Sequence, residues 1–183
     1  MTPSDGRQIY PMAPLIRFTL ISLYLALVVP LPLLAVGSLA WLAWIALPLG
    51  LVLVVALTSE RVELSPFELR VGHPSWCSWL LRRGWSVRWD QITALTPVAT
   101  SQGGRVYYVR QGQGVALLLP QRVAGFDDFL RRFSTATGLD TRGIGRISPP
   151  WTYQLLAVLA GLMLVAELIL WVMFRVSNGS FLG

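Results

Sequence analysis

Two long apolar tracts enclose a stretch in which polar and apolar residues alternate, and this pattern sets the plan of the chain. The first tract, Phe18 to Ser59, runs for 42 residues without a charged side chain. As a single helix at about 1.5 Å per residue it would be roughly 63 Å long, twice a hydrocarbon core of about 30 Å. Two crossings fit if the chain turns between them. Ala35-Val36-Gly37-Ser38 supplies the small residues and the glycine that a tight turn needs. Val29-Pro30-Leu31-Pro32 is the competing turn, but transmembrane helices tolerate proline, so the expected spans are Leu15–Leu34, kinked at the prolines, and Leu39–Leu57. A cleaved signal peptide would have an apolar core of only about 7–15 residues.

The second tract, Trp151 to Phe174, holds one ionisable residue, Glu167, and opens with Trp151 and Tyr153, aromatic rings of the kind that settle at a membrane interface. It predicts a third span closed by Arg175. The expected divisions are a polar, flexible or surface-bound tail at 1–14, a transmembrane hairpin at 15–57, a soluble domain at 58–147, a third transmembrane helix at 148–175 and a tail at 176–183. Arg17 sits where a cation snorkels to head groups.

Between the tracts the period changes. Arg61-Val62-Glu63-Leu64 and Glu68-Leu69-Arg70-Val71 alternate around Ser65-Pro66, the pattern of a hairpin of half-buried strands. Trp85, Val87 and Trp89 continue the alternation to a bend at Asp90-Gln91, and Ile92 and Leu95 extend it. After the turn signal Ser101–Gly104, residues 105–110 and 115–119 flank Gly112-Gln113-Gly114 as a second hairpin. Val123, Phe126, Phe129, Leu130 and Phe133 then recur every three or four residues, which predicts a helix over 124–137. Asp127 and Asp128 precede Arg131 and Arg132, the order the helix dipole favours, and Gly138 caps the end. The expected fold class is thus an α+β integral membrane protein: a transmembrane hairpin, a small antiparallel β domain of about six strands with a C-terminal helix, and a last transmembrane helix.

Composition supports the membrane class, with 54% hydrophobic and only 13% charged residues. All 15 basic residues are arginine, whose guanidinium fork binds phosphate or carboxylate in bidentate fashion, and the net charge is +6. The single cysteine, Cys77, excludes an internal disulfide. His73 and Cys77 are too few ligands for zinc, and no third group is placed to orient a cysteine nucleophile. Gly143-Ile144-Gly145 lacks the preceding strand and following helix of a phosphate loop. No catalytic residue, metal or cofactor is expected, and no nucleic-acid partner.

Two features stand out. The first is the segment Ser75 to Arg83, in which Trp76, Trp79 and Leu80 share one side if helical, with Arg82 and Arg83 behind them. This is the composition of a segment lying in a head-group layer, with packing under the sheet as the alternative. The second is Glu167, which should not face lipid. With Ala157, Ala160, Gly161 and Ala166 it forms a small-residue face suited to a partner helix; the carboxyl itself suits contact with that helix or a pigment-like ligand, or a hydrogen bond within the chain's own three helices.

Thr58-Ser59-Glu60-Arg61-Val62 leaving a span, Trp89-Asp90-Gln91-Ile92, Leu117-Leu118-Leu119-Pro120 and Phe129-Leu130 together resemble the bacterial pleckstrin-homology-like domains tethered to paired transmembrane helices. The resemblance covers about half the chain and implies a binding or scaffolding role without a reaction. The insertion from Gly72 to Gly84 departs from the shortest versions of that pattern. The three-span, all-arginine plan is also similar to small accessory proteins of cyanobacterial thylakoids that attend photosystem assembly. The expected function is a non-catalytic auxiliary subunit or assembly factor that binds integral membrane proteins, with anionic-lipid binding by the soluble domain as the alternative. The residues before the third span hold 14 of the 15 arginines, so the soluble domain and N-terminus are expected on the cytoplasmic side.

Overall fold

The computed structural model describes residues 6–81, 84–101, 104–112, 114–145 and 150–179. The chain divides into an α/β unit, Met1–Pro14 with Ala56–Pro149, and a helical unit, Leu15–Val55 with Pro150–Gly183.

In the α/β unit, strands β1 (Gln8–Pro11), β2 (Arg61–Leu64), β3 (Glu68–Gly72) and β4 (Trp85–Arg88) form an antiparallel sheet in that order. A 3-10 turn at Trp89–Gln91 leads to a second antiparallel sheet of β5 (Ile92–Ala99), β6 (Arg105–Gln111) and β7 (Val115–Leu118). The six strands expected between residues 58 and 147 are present. A seventh comes from the segment read as a tail, which corrects that expectation: Gln8 pairs with Leu64 and Tyr10 with Val62. Four residues ending in a proline carry no local strand signal, and only the partner strand, some 50 residues onward, reveals the pairing.

Every second residue of the first sheet points inward, giving Tyr10, Val62, Leu64, Leu69, Val71 and Val87 to one core. Helix α4 (Phe126–Thr137) lays Phe126, Phe129, Leu130 and Phe133 on it. The helix starts two residues later than the spacing predicts, because Val123 bridges Met12 and the Ala124 amide donates to the Pro11 carbonyl at 2.8 Å. It ends as expected at Gly138, whose φ of +72° only glycine adopts without strain and whose N–H donates to Ser134 O.

β1 is fastened to α4 as well as to β2. The Tyr10 ring meets Phe129 edge-on at 5.7 Å, and its hydroxyl donates to Asp128 Oδ2 at 2.6 Å. Arg132 Nε donates to the same oxygen at 2.9 Å, and Arg131 to Oδ1. The Tyr10 bond and then Arg132 hold the Asp128 carboxyl down to about 2. Burial first, and then the bond to Asp128, pushes the Tyr10 phenol up to about 12. Folding therefore favours ionised Asp128 and neutral Tyr10, and stability follows from linkage. Asp128's contribution is complete above an unfolded carboxylate's range near pH 4 and is lost as pH falls toward 2. Tyr10's is complete below about pH 10 and is lost as pH rises toward 12. In Tyr10→Phe the melting temperature is expected to fall less steeply above pH 10 than in the parent; identical alkaline limbs would refute the bond's role.

The helical unit contains α1 (Pro14–Val28), α2 (Pro30–Leu34), α3 (Ser38–Leu57) and α5 (Pro150–Gly179). Three helices are long and apolar enough to cross a membrane: Pro14–Leu34, Leu39–Leu57 and Trp151–Ser177. Gly37, at φ +66°, makes the turn expected there, while the proline pair only interrupts the first helix: Val29 stays helical and its N–H still reaches Leu25 O. The third helix runs beyond Arg175, whose guanidinium lies 4.9 Å from the Trp171 ring centroid. Tyr24 donates to Leu47 O at 2.6 Å across Gly50, where a Cβ would overlap the tyrosine hydroxyl. The fully buried Thr19 hydroxyl lies 2.8 Å from Leu15 O and 3.2 Å from Tyr153 O, joining α1 to α5.

Candidate binding face

The outward face of the four-stranded sheet is built by the same alternation that fills the core. With Val62, Leu69 and Val87 inside, Arg61 and Glu63 of β2, Arg70 of β3 and Ser86 of β4 must lie outside, and Glu63, Arg70 and Ser86 are register partners. The 73–84 insertion leaves this face through a narrow neck. At Gly84 a Cβ would overlap the Val71 carbonyl and the Gly72 Cα, so two backbones meet where no side chain fits. Gly84→Ala should lower stability by about 1–3 kcal/mol, as overpacking against rigid backbone does, while Gly145→Ala, in open space and without a left-handed backbone, should be nearly neutral and is the control. Chemical denaturation of the two variants distinguishes them; equal losses would refute the close-approach argument.

Beyond the neck the insertion coils through one turn, with the Cys77 and Ser78 amides donating to Pro74 O and those of Leu80 and Leu81 to Cys77 O. Cys77 is 1% exposed and its thiol lies 3.6 Å from Pro74 O, which makes it a structural part of the turn. The tryptophans divide. Trp85 and Trp89 pack against the core, whereas Trp76 and Trp79 are 50% and 80% exposed, with Leu80 at 50%. Arg82 and Arg83 lie outside the described residues.

Between insertion and sheet is a cavity of about 600 Å³ lined by Arg7, Arg61, Arg70, His73, Ser75 and Ser86, with Glu63 and Glu68 also on its wall. Arg61 Nε is bonded to Glu63 Oε1 at 2.8 Å. Among the described residues neither Arg7 nor Arg70 has an ion-pair partner, and His73 Nδ1 is buried without a hydrogen bond. No group of three or more histidine, cysteine, aspartate or glutamate side chains among the described residues is placed to hold a metal. The sequence reading missed this cluster. Alternation already put Arg61, Glu63 and Arg70 on one face, but Arg7 joins only because β1 pairs with β2, and the covering loop has no periodic signal.

The remaining expected site residues lie in the helical unit. Trp151 is 62% exposed and Tyr153 half-buried. Ala160 is fully buried, Ala157 and Gly161 are half-buried, and Ala166 is exposed. A Cβ at Gly161 would meet nothing within 4 Å. Glu167 is half-buried and its Oε2 is enclosed without a hydrogen-bond partner among the described residues.

The chain is 41% identical over 178 residues to "Uncharacterized protein slr0269" of Synechocystis sp., an alignment covering 92% of this chain and 89% of that protein. The chain belongs to the slr0269 family. The 8% left unaligned is shorter than any of the three long apolar helices, so similarity to slr0269 extends into each of them and into the α/β unit. No family model matches the sequence.

Proposed function

We propose that this chain is a membrane-anchored, non-catalytic binding module that serves as an auxiliary subunit or assembly factor of a larger membrane-protein complex. The observation that carries the reading is Glu167. Its carboxylate, with one oxygen enclosed and unpartnered among the described residues, sits in a helix that carries no other charge through Phe174, where a polar group is costly and a hydrogen-bond donor from another helix relieves the cost. The three apolar helices also exceed what anchoring requires, since one span already holds a protein in the bilayer. Beside Glu167's helical stripe, the open space over Gly161 leaves room for a neighbour to approach the backbone.

Four strands, three strands and a closing helix support the resemblance to pleckstrin-homology-like domains, with the difference that the apolar hairpin falls between the first two strands. A thylakoid setting and a place in photosystem assembly are part of the same proposal, and the cyanobacterial source of slr0269 is compatible with the setting. The test is copurification of tagged full-length chain from native membranes in mild detergent. Gly161→Leu, at a position where an added Cβ meets nothing within 4 Å, and Glu167→Leu should each reduce recovered partners about tenfold, the equivalent of roughly 1.4 kcal/mol. Full recovery with both variants places docking elsewhere, and turnover of a substrate by the purified chain defeats the reading.

The alternative, binding of anionic lipid head groups by the α/β unit, is favoured by the arginine-lined cavity beside exposed tryptophans.

A further inference from the structure

We infer that the cavity beneath the 73–84 insertion is a binding site for a phosphate-type oxyanion, held by Arg7 and Arg70 with His73 and the serine hydroxyls completing the donor set. The inference deepens the lipid-binding alternative just stated, and it stands apart from docking through Glu167.

Arg61 and Glu63 satisfy each other, so the charge left over belongs to Arg7 and Arg70. A guanidinium offers its N–H groups as a planar fork matched to two oxygens of one anion. Glu68 also lines the wall, and with Glu63 it sets the cavity's formal balance at three arginines against two carboxylates, a net +1. That balance suits one singly charged phosphodiester better than a polyphosphate, which the two carboxylates would repel.

His73 lies on the same wall, with an enclosed Nδ1 that has no hydrogen-bond partner among the described residues. His73 belongs to the insertion, and so does Ser75, whereas Arg61, Arg70 and Ser86 belong to the sheet. An oxyanion bound there bridges loop and sheet.

The same insertion that roofs the cavity exposes Trp76, Trp79 and Leu80. Amphipathic aromatic rings beside an anion site fit a phospholipid, with the phosphodiester in the cavity and the rings against its glycerol and upper acyl chains. Free phosphate shares the first half of that chemistry and not the second.

The experiment uses the full chain in a neutral maltoside detergent, titrated with inorganic phosphate and with short-chain phosphatidylglycerol, with short-chain phosphatidylcholine as the zwitterionic comparison. The parent should bind both anions saturably, with phosphatidylglycerol about tenfold tighter than phosphate. Arg70→Gln should weaken both about tenfold, as loss of a charge-assisted hydrogen bond does, with Arg70→Lys recovering part of it. Arg7→Gln, which alters an exposed residue outside the strands, should repeat the loss if Arg70→Gln disturbs folding. Trp79→Ser should weaken only the lipid. If phosphate binds with the expected arginine dependence while phosphatidylglycerol gains nothing over it and Trp79→Ser is silent, the site is one for free phosphate and the lipid reading falls. If both anions bind the arginine variants as they bind the parent, or bind none of them, the proposal is overturned.

Discussion

Replacing Tyr10 with alanine should cost the α/β unit roughly 3–5 kcal/mol, the range for deleting a large buried aromatic. The residue is only 6% exposed, contacts Phe129 edge to face, and pairs through its backbone with Val62. Removing the ring opens a cavity between the sheet and α4 and takes away Asp128's hydroxyl donor. Against a typical domain stability of about 5–15 kcal/mol that loss is large enough to unfold part of the population. Tyr10→Phe keeps the ring and leaves Asp128 its two arginines, so it should cost only a fraction as much. Denaturation of full-length chain in detergent, followed by intrinsic fluorescence, compares them. If Tyr10→Ala is as mild as Tyr10→Phe, the first strand is an accessory and the core closes without it.

The second large effect is all or none. Gln8–Pro11 and Arg61–Leu64 are hydrogen-bonded neighbours in one sheet, and the two apolar helices lie between them in sequence. Strands so paired cannot occupy opposite sides of a bilayer, so the number of crossings between them is even. Met12 N–H to Glu60 O, 3.2 Å, continues the pairing beyond the strands. Pairing alone requires the two sides to be the same; the distribution of arginine, with 14 of 15 before the last helix, makes the cytoplasmic side the expected one. In sealed membrane vesicles with the cytoplasmic face inside, Ser101→Cys should resist an impermeant thiol reagent and Ser177→Cys should react, with buried Cys77 contributing little background. Labelling of Ser101→Cys from outside would reverse the orientation; labelling that separates a cysteine at Arg7 from one at Ser101 would break the even-crossing argument itself.

Much of this architecture was legible because it rests on local signals. A charge-free run of 42 residues, the glycine at its middle, alternation through Glu63 and Arg70 and the phenylalanine spacing of α4 each encode an element within about ten residues of themselves. What escaped was non-local. β1 looks like a tail until β2 is set beside it, and Tyr10 looks like an ordinary aromatic until Asp128, 118 positions away, accepts its hydrogen bond. The crowding of tryptophans between 76 and 89 said that some must be outside; it took the packing of β4 and of the 3-10 turn after it to assign Trp85 and Trp89 to the core side. The arginine cavity was the least legible of all, because it draws on the residue before β1, three strands and an aperiodic loop.

The interleaving of the first sheet with the apolar hairpin also orders events during synthesis. At about 5–20 residues per second, the 49 residues separating Pro11 from Arg61 occupy the ribosome for several seconds, through which β1 has no partner. Only when the chain has gone through α1 to α3 and emerged again on the original side can Val62 find Tyr10. A hairpin that inserts halfway leaves the two strands stranded on opposite faces, the sheet one strand short and the phenylalanine face of α4 partly bare. If the hairpin crosses the bilayer, a complete α/β unit therefore implies that both crossings were made, and a chain that misses one keeps the phenylalanine face of α4 partly exposed.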